Sequence, residues 1–163
     1  VESRGSWSAI VRQVTKQQGE ERDSLSNVIV TPNTNDMRPV YARAKMILIP
    51  SLWWESFPRI SIEALMNGIP SIYTATGGLK EAIDNGGICQ KLPAYLHKPP
   101  FNNPPDEKTL RTLISSIEKL NDDEKEWKEY ARNSSEKSRK YLMNNSLKRL
   151  IDSLEKTIKK KSS

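Results

Sequence analysis

Residues 45–81, KMILIPSLWWESFPRISIEALMNGIPSIYTATGGLKE, constrain the fold more than any other stretch. Lys45 to Ile49 is a nearly unbroken apolar run, the pattern of a strand buried on both faces. Pro50 stops the run and leaves Ser51 to Glu55 as loop. Pro58 then marks a helix start, because the first helical turn does not use the N–H that proline lacks. Ile60, Ile62, Ala64, Leu65 and Met66 leave that helix apolar on most sides and predict its burial. Asn67-Gly68 ends it, glycine being free to take the left-handed stop. Ile69 to Tyr73 reads as the next strand, with Pro70 tolerated at its start. Strand, helix and strand within roughly 30 residues make one βαβ crossover.

Two glutamates take their places from this unit. Glu55 falls in the loop just outside the carboxyl end of the first strand, and Glu63 one to two turns into the helix. The helix N-terminus between them offers free N–H groups and a positive dipole end, which suit a phosphate. Open α/β sheets bind ligands at this edge. One carboxylate can hold hydroxyls on one side of a phosphate and the other those on the far side, which is the layout of a nucleotide-sugar. Taken singly, Glu55 as a helix cap and Glu63 as half of a surface ion pair account for the same residues.

The run ESFPRISIEALMNGIPS, followed by TGGLKE, resembles the donor-binding motif of retaining GT-B glycosyltransferases, most closely the large fourth family. The preceding YARAKMILIPS is similar to that family's segment before the motif, and the likeness covers residues 25–90. The resemblance implies an α/β fold, a Rossmann-like doubly wound parallel sheet forming the C-terminal half of a GT-B fold, with a helical C-terminal tail. It implies that Glu55 contacts the donor-sugar hydroxyls and is the catalytic candidate. It implies that Glu63 holds the ribose hydroxyls, and that backbone N–H groups around Phe57 to Ile60 meet the sugar and the distal phosphate. Ser56, Pro58 and Arg59 share that loop, and Gly77 and Gly78 border the donor cleft. Pro58 departs from the pattern, since many members have glycine there and proline cannot donate that hydrogen bond; Arg59 is a candidate compensating contact to phosphate or acceptor. No metal and no cofactor is implied. The implied donor is a UDP-, GDP- or dTDP-sugar, and the acceptor an unknown glycan or lipid-linked molecule. The implied location is cytoplasmic, with peripheral contact at the inner face of the membrane as a further option.

The 163 residues suffice for one domain with a real core. With 36% hydrophobic and 28% charged residues, much of the chain must be surface or amphipathic helix. Cys89 is the single cysteine, which excludes an internal disulfide, fits a reducing compartment and reads as a buried thiol. No stretch is long and apolar enough to span a bilayer, and the first residues lack a signal-peptide layout. The net charge of +6 is interleaved with acids on helices. Without zinc-ligand spacing, an RNA-binding aromatic signature or a helix-turn-helix pattern, nucleic acid is not expected as a partner, and a basic nucleic-acid-binding domain stands only as a third reading of the charge. No G-x-G-x-x-G follows a strand, which speaks against dinucleotides.

Along the chain, Ser6 can cap a helix running to about Gln18, with Ile10 and Val14 on one face and Gly19 as its stop. Val28 to Val30 reads as a short buried strand, and Asp36 can cap a short helix from Met37 to Ala44. By resemblance Thr31 to Met37 is a candidate contact to the nucleobase; an ordinary strand-to-helix connection explains its turn residues equally well. Gly77-Gly78 permits a tight turn before a helix from Leu79 to Asp84, which carries Glu81 in its first turn. Gly86-Gly87 closes that helix, and Ile88 to Gln90 is the last of four or five expected parallel strands.

Lys91 to Pro105, with five prolines in fifteen residues, is a linker by composition; its His97, the only histidine, is expected to face solvent without a role. Three amphipathic helices follow, divided at Asn121 to Asp123 and at Asn144-Asn145. Their stripes, the last being Leu147, Leu150, Ile151, Leu154 and Ile158, are expected to face the core. Lys159 to Lys161 can touch anionic lipid or be a solvated end. The expected organisation is a nucleotide-sugar-binding α/β domain over 1–105 with helices 106–163 packed on it. The resembling family has a G-R-x-x-x-x-K-G-like diphosphate clamp that this chain lacks. The expectation is therefore a fragment without its first βα unit or its N-terminal domain, inactive alone. A non-catalytic nucleotide- or sugar-binding module is the second reading, since a fold by itself does not prove catalysis.

Overall fold

The structure, a computed structural model, describes residues 7–17, 19–20, 22–31, 34–99 and 103–161. The expected cap Ser6, the helix end Gln18, Pro32 and Asn33 of the turn-rich loop, and Pro100 to Asn102 of the linker lie outside the described residues. The chain divides into two compact units between Met37 and Arg38.

In the first unit, α1 spans Trp7–Gln17, and the chain turns at Gly19 with φ +77°. Thr15 ties the helix to the loop after it: its Oγ1 donates to the Val11 carbonyl at 2.9 Å and accepts from the Arg22 amide at 3.1 Å. The strand expected at Val28 to Val30 is not formed. A β-branched triplet becomes a strand only with a ladder partner. Here the Val28 amide instead turns back to the Leu25 carbonyl at 3.1 Å, and Ile29 is 86% exposed rather than buried.

The second unit holds the sheet. Its strands are β1 (Ile47–Ile49), β2 (Ser71–Thr74) and β3 (Gly87–Gln90), all parallel, in the order β1-β2-β3. Three strands therefore stand among the described residues where four or five were expected. A short helix, α2 (Arg38–Arg43), precedes β1. Between strands run α3 (Arg59–Met66) and α4 (Leu79–Ile83). Both crossovers step the same way across the sheet, so right-handed connections bring α3 and α4 to one face, where they pack on each other. Alternation along the strands then sorts the side chains. Ile49 and Tyr73 join Leu79, Ala82 and Ile83 in the core, with Ile47, Ile62 and Cys89 packed around them. The opposite face, with Leu48, Ile72, Thr74 and Gln90, looks into a cavity of about 600 Å³ also lined by Leu96 and Leu113.

α3 is not buried all round as its composition predicts. Ser61, Ala64 and Leu65 are buried, while Ile60 and Met66 are exposed. A helix lying on one face of a sheet covers one stripe only, and the full burial of Leu65 alone stabilises the fold by about 2 kcal/mol. Gly68 at φ +65° turns the chain out of α3 as expected. Two later helices brace this layer. Asp106 caps α5 (Glu107–Asp122) by accepting from the Thr109 amide at 2.8 Å, and Asp123 caps α6 (Glu124–Ser138) by accepting from the Glu126 amide at 3.0 Å. Ser116 on α5 accepts from Gln90 Nε2 at 2.7 Å, reaching the sheet's second face. Ser134 on α6 donates to the Gly86 carbonyl at 2.9 Å, and Trp127 Nε1 donates to the Lys45 carbonyl at 2.7 Å. The proline-rich linker is held where it can be: Leu96 is buried within a 3₁₀ turn, Ala94–His97, and His97 is exposed.

Two expectations about the tail are corrected. The break between the last helices is a 3₁₀ turn at Arg139–Tyr141, and Asn144 and Asn145 lie inside α7 (Met143–Lys161). Asparagine is tolerated in a first helical turn, so the pair marks a helix start rather than a gap. The α7 stripe does not face the core: Leu147, Leu150, Ile151, Leu154 and Ile158 are all exposed. On α5, Leu110 and Ile114 are exposed as well, while Leu120 is fully buried. A stripe records that a face is apolar, not that this chain covers it.

Candidate functional site at the carboxyl edge of the sheet

The loops that leave β1 and β2 meet at one edge. Pro50 ends β1, and Thr74, the last residue of β2, donates from Oγ1 to the Ser51 carbonyl at 2.6 Å. One step further out, the Gly78 amide donates to the Glu55 carbonyl at 2.8 Å. A Cβ on Gly77 would lie 2.1 Å from the Glu55 carbonyl oxygen, and one on Gly78 1.9 Å from that of Ser56. No side chain fits at either position, and Gly77 also sits at φ +56°. The immediate partner of the glycine pair is thus the 55–56 backbone. Its consequence is that Glu55, Ser56, Gly77 and Gly78 are one locked cluster.

From this cluster the chain enters α3. Pro58 is buried in the N-cap position with extended dihedrals and no side-chain cap, and Ser61 holds the turn by donating from Oγ to the Pro58 carbonyl at 2.6 Å. The amides of Arg59 and Ile60 precede the first residue with an intrahelical partner, so they are open donors at the positive end of the helix. Arg59 and Ile60 are exposed, as are Ser56 and Phe57. Glu55 is half-buried, and among the described residues its side chain accepts only a long bond, 3.4 Å, from Ser51 Oγ. Glu63 is half-buried on the second turn, where one carboxylate oxygen, Oε2, accepts from the Tyr41 hydroxyl. Neither glutamate is a helix cap or an ion-pair partner among the described residues.

Four residues escaped the sequence reading. Tyr41 is buried under Glu63; burial, then the adjacent Glu63 carboxylate, pushes its phenol up to about 12. Tyr141 stacks edge-on against Phe57, with ring centroids 5.5 Å apart, and donates to the Ala82 carbonyl at 3.2 Å. It thereby ties the 55–58 loop to α4 from a point far along the chain. Trp53 and Trp54 stand directly before Glu55, and Trp54 is 81% exposed. Their signal was present in the sequence: two adjacent tryptophans in a loop that buries neither.

The other expectations scatter. Glu81 is exposed at the start of α4 and lends only its carbonyl to Tyr141. Thr34 and Asp36 form a local turn, with the Asp36 amide donating to Thr34 Oγ1 at 3.0 Å. None of the predicted site residues lines the 600 Å³ cavity, which belongs to the opposite face of the sheet. Among the described residues, no group of three or more His, Cys, Asp or Glu side chains is placed to hold a metal ion. No helix there is long and apolar enough to cross a membrane.

A family model described as glycosyl transferases, group 1, matches residues 11–134, a span containing every residue of the cluster and all of α3. No curated protein and no solved structure matches the chain.

Proposed function

The chain belongs to the glycosyl transferases of group 1, and from that premise we propose that it is the donor-binding domain of a retaining GT-B enzyme of the fourth-family type. Membership makes glycosyl transfer the reaction, with a sugar donor and an acceptor as substrates. The finer reading takes the donor to be a nucleotide-sugar. Its distal phosphate and sugar sit against the amides of Phe57, Arg59 and Ile60, its ribose against Glu63, and its transferred sugar against Glu55. Pro58 offers no amide in this array, so the charge of Arg59 supplements the donors on either side. Ser56, Gly77 and Gly78 form the wall from which Glu55 projects.

The chemistry in this reading is electrostatic. As the glycosidic bond breaks, negative charge grows on the leaving diphosphate and positive charge on the sugar ring. Preorganised amides at the start of α3 stabilise the first, and the Glu55 carboxylate beside the ring stabilises the second. The observation that carries the proposal is the lock between Glu55 and Gly78 at the carboxyl edge. It holds one carboxylate beside a helix N-terminus with a second carboxylate on the same helix. A doubly wound sheet, completed by further strands and by an acceptor-binding N-terminal domain, belongs to the same proposal. So does a cytoplasmic location, with peripheral contact to an anionic membrane supported by α7, whose apolar stripe is exposed and whose opposite face carries Arg149 and Lys156.

Calorimetric titration of the 163-residue chain with UDP, GDP and dTDP tests the ligand class. Saturable binding of one of them, weakened by Glu63→Gln, is the expected result. Tighter binding of duplex DNA than of any nucleotide, persisting at high salt, overturns it.

A further inference from the structure

Tyr41 and Glu63 lie 22 residues apart on different helices, yet the phenol hydroxyl of one donates to Oε2 of the other. Tyr41 is 8% exposed, so little of it is open to a ligand, and its polar contact is to the carboxylate. Glu63 Oε1 has no hydrogen-bond partner among the described residues. We propose that Tyr41 is a positioning residue that fixes the Glu63 carboxylate to receive a vicinal diol, and so makes this site selective for ribonucleoside over 2′-deoxyribonucleoside diphosphates. The inference rests on the reading of Glu63 as the ribose ligand and commits the donor to the UDP or GDP class rather than dTDP.

The physical argument begins with lone pairs. An ionised carboxylate has about four acceptor positions on its two oxygens. Tyr41 takes one and leaves both oxygens able to accept from outside. A glutamate on a helix surface otherwise rotates about its side-chain bonds, and ordering it on binding costs entropy. A buried hydroxyl beneath it removes that freedom in advance. It does so only while it carries its proton, which a phenol holds at neutral pH and which burial, pushing Tyr41 up to about 12, preserves further into alkali. The helix backbone is held separately, by the Asn67 amide at 3.2 Å and Nδ2 at 2.8 Å on the Glu63 carbonyl. Loss of the phenol hydroxyl therefore frees the carboxylate without releasing α3. A 2′-deoxyribose presents one donor where ribose presents two, so a fixed carboxylate tells them apart and a mobile one does so less well.

The test measures dissociation constants of the 163-residue chain for UDP, GDP and their 2′-deoxy counterparts, in the parent and in Tyr41→Phe, Glu63→Gln and the double variant. Phenylalanine keeps the ring and its packing, and circular dichroism verifies each fold. In the parent, the better-bound ribonucleotide should exceed its deoxy form by roughly tenfold, the loss of one charge-assisted hydrogen bond. Tyr41→Phe should cut that ratio to about two- or threefold while leaving deoxynucleotide affinity within about twofold, and in the Glu63→Gln background it should change the ratio no further. A parent that binds nucleotide without preferring ribose overturns the role of Glu63 and this inference with it. A parent that discriminates, with Tyr41→Phe discriminating equally well, overturns the role of Tyr41 alone. Equal weakening of ribo and deoxy forms in Tyr41→Phe also overturns it, because Tyr41 is then merely structural.

Discussion

In the proposed reading, charge develops next to only one of the two glutamates, and kinetics can separate them. Ribose hydroxyls change little between ground and transition state, so a contact from Glu63 is uniform and belongs to KM. A contact from Glu55 strengthens as the ring becomes cationic and belongs to kcat. In enzyme assayed with its acceptor, Glu63→Gln is expected to raise donor KM roughly tenfold to a hundredfold, the value of a charge-assisted bond. Glu55→Gln is expected to lower kcat by at least as much. If both variants keep kcat and donor KM within about twofold of the parent, the glutamates are structural. Tyr41 gives a prediction in pH. Its phenol titrates near 10.0 when exposed and at about 12 in the fold. The protonated form is the one the fold prefers, so its contribution to stability is complete below pH 10.0 and is lost as pH rises towards about 12. Burial pushes Tyr73 and Tyr141 up as well, so the parent loses stability in alkali from several groups. The difference between parent and Tyr41→Phe isolates one of them: the gap in urea midpoint should narrow from about pH 9 to about pH 11.5, and a constant gap refutes the contribution. The placement of Glu55 in the loop after β1 and of Glu63 on α3 was legible in the sequence because a strand end and a helix start fix both. The Tyr41 contact was not, since α2 has six residues, too few to show a stripe.

At the level of elements, what was legible is what local chemistry decides. β1, α3, β2, α4 and β3 came out in order because an apolar run, a proline at a helix start and a glycine stop are decided by neighbours a few residues away. Val28 to Val30 failed because a strand needs a partner, and α7 failed because periodicity does not reveal what covers a face. Register adds a constraint invisible in the sequence. Ser71 pairs with Gly87 across β2 and β3, and a Cβ on Gly87 would lie 2.1 Å from the Ser71 carbonyl oxygen. A strand carbonyl cannot swing aside without breaking its ladder. Gly87→Ala is therefore expected to destabilise the second unit by about 2 kcal/mol or more, seen as a lower urea midpoint with an unchanged slope. Gly86→Ala should cost less, because its nearest obstacle is the flexible end of Leu65 at 2.6 Å. A harmless Gly87→Ala would mean that the β2–β3 register is wrong.

Across the whole molecule, burial is uneven enough to set an order of opening. β2 is paired on both sides and buried along its full length, from Ser71 to Thr74. β1 and β3 each pair with β2 alone. α7 has nineteen residues, but its apolar stripe is exposed, and two of its side chains reach back only to the turn before it, Asn145 Nδ2 to the Arg139 carbonyl at 2.6 Å and Arg149 to the Lys140 carbonyl at 2.7 Å. Most helical stability comes from tertiary packing, and among the described residues α7 shows little of it. Backbone amides exchange by the cheapest opening that exposes them. Those of Ile72, Tyr73 and Thr74 should thus exchange only on global unfolding. Those from Leu150 to Ile158 should exchange by fraying, at an opening free energy lower by roughly 5 kcal/mol or more. Vesicles rich in anionic lipid supply the missing cover for an apolar stripe on a helix whose basic residues, among them Lys148, Arg149 and Lys156, outnumber its acids Asp152 and Glu155. They should slow exchange in α7 while leaving β2 unchanged, whereas neutral vesicles or high salt should not. If α7 is already as slow as β2 without lipid, its stripe is covered in solution and the membrane reading falls. If anionic vesicles leave α7 fast, that reading falls as well, while the site at the carboxyl edge of the sheet is untouched by either result.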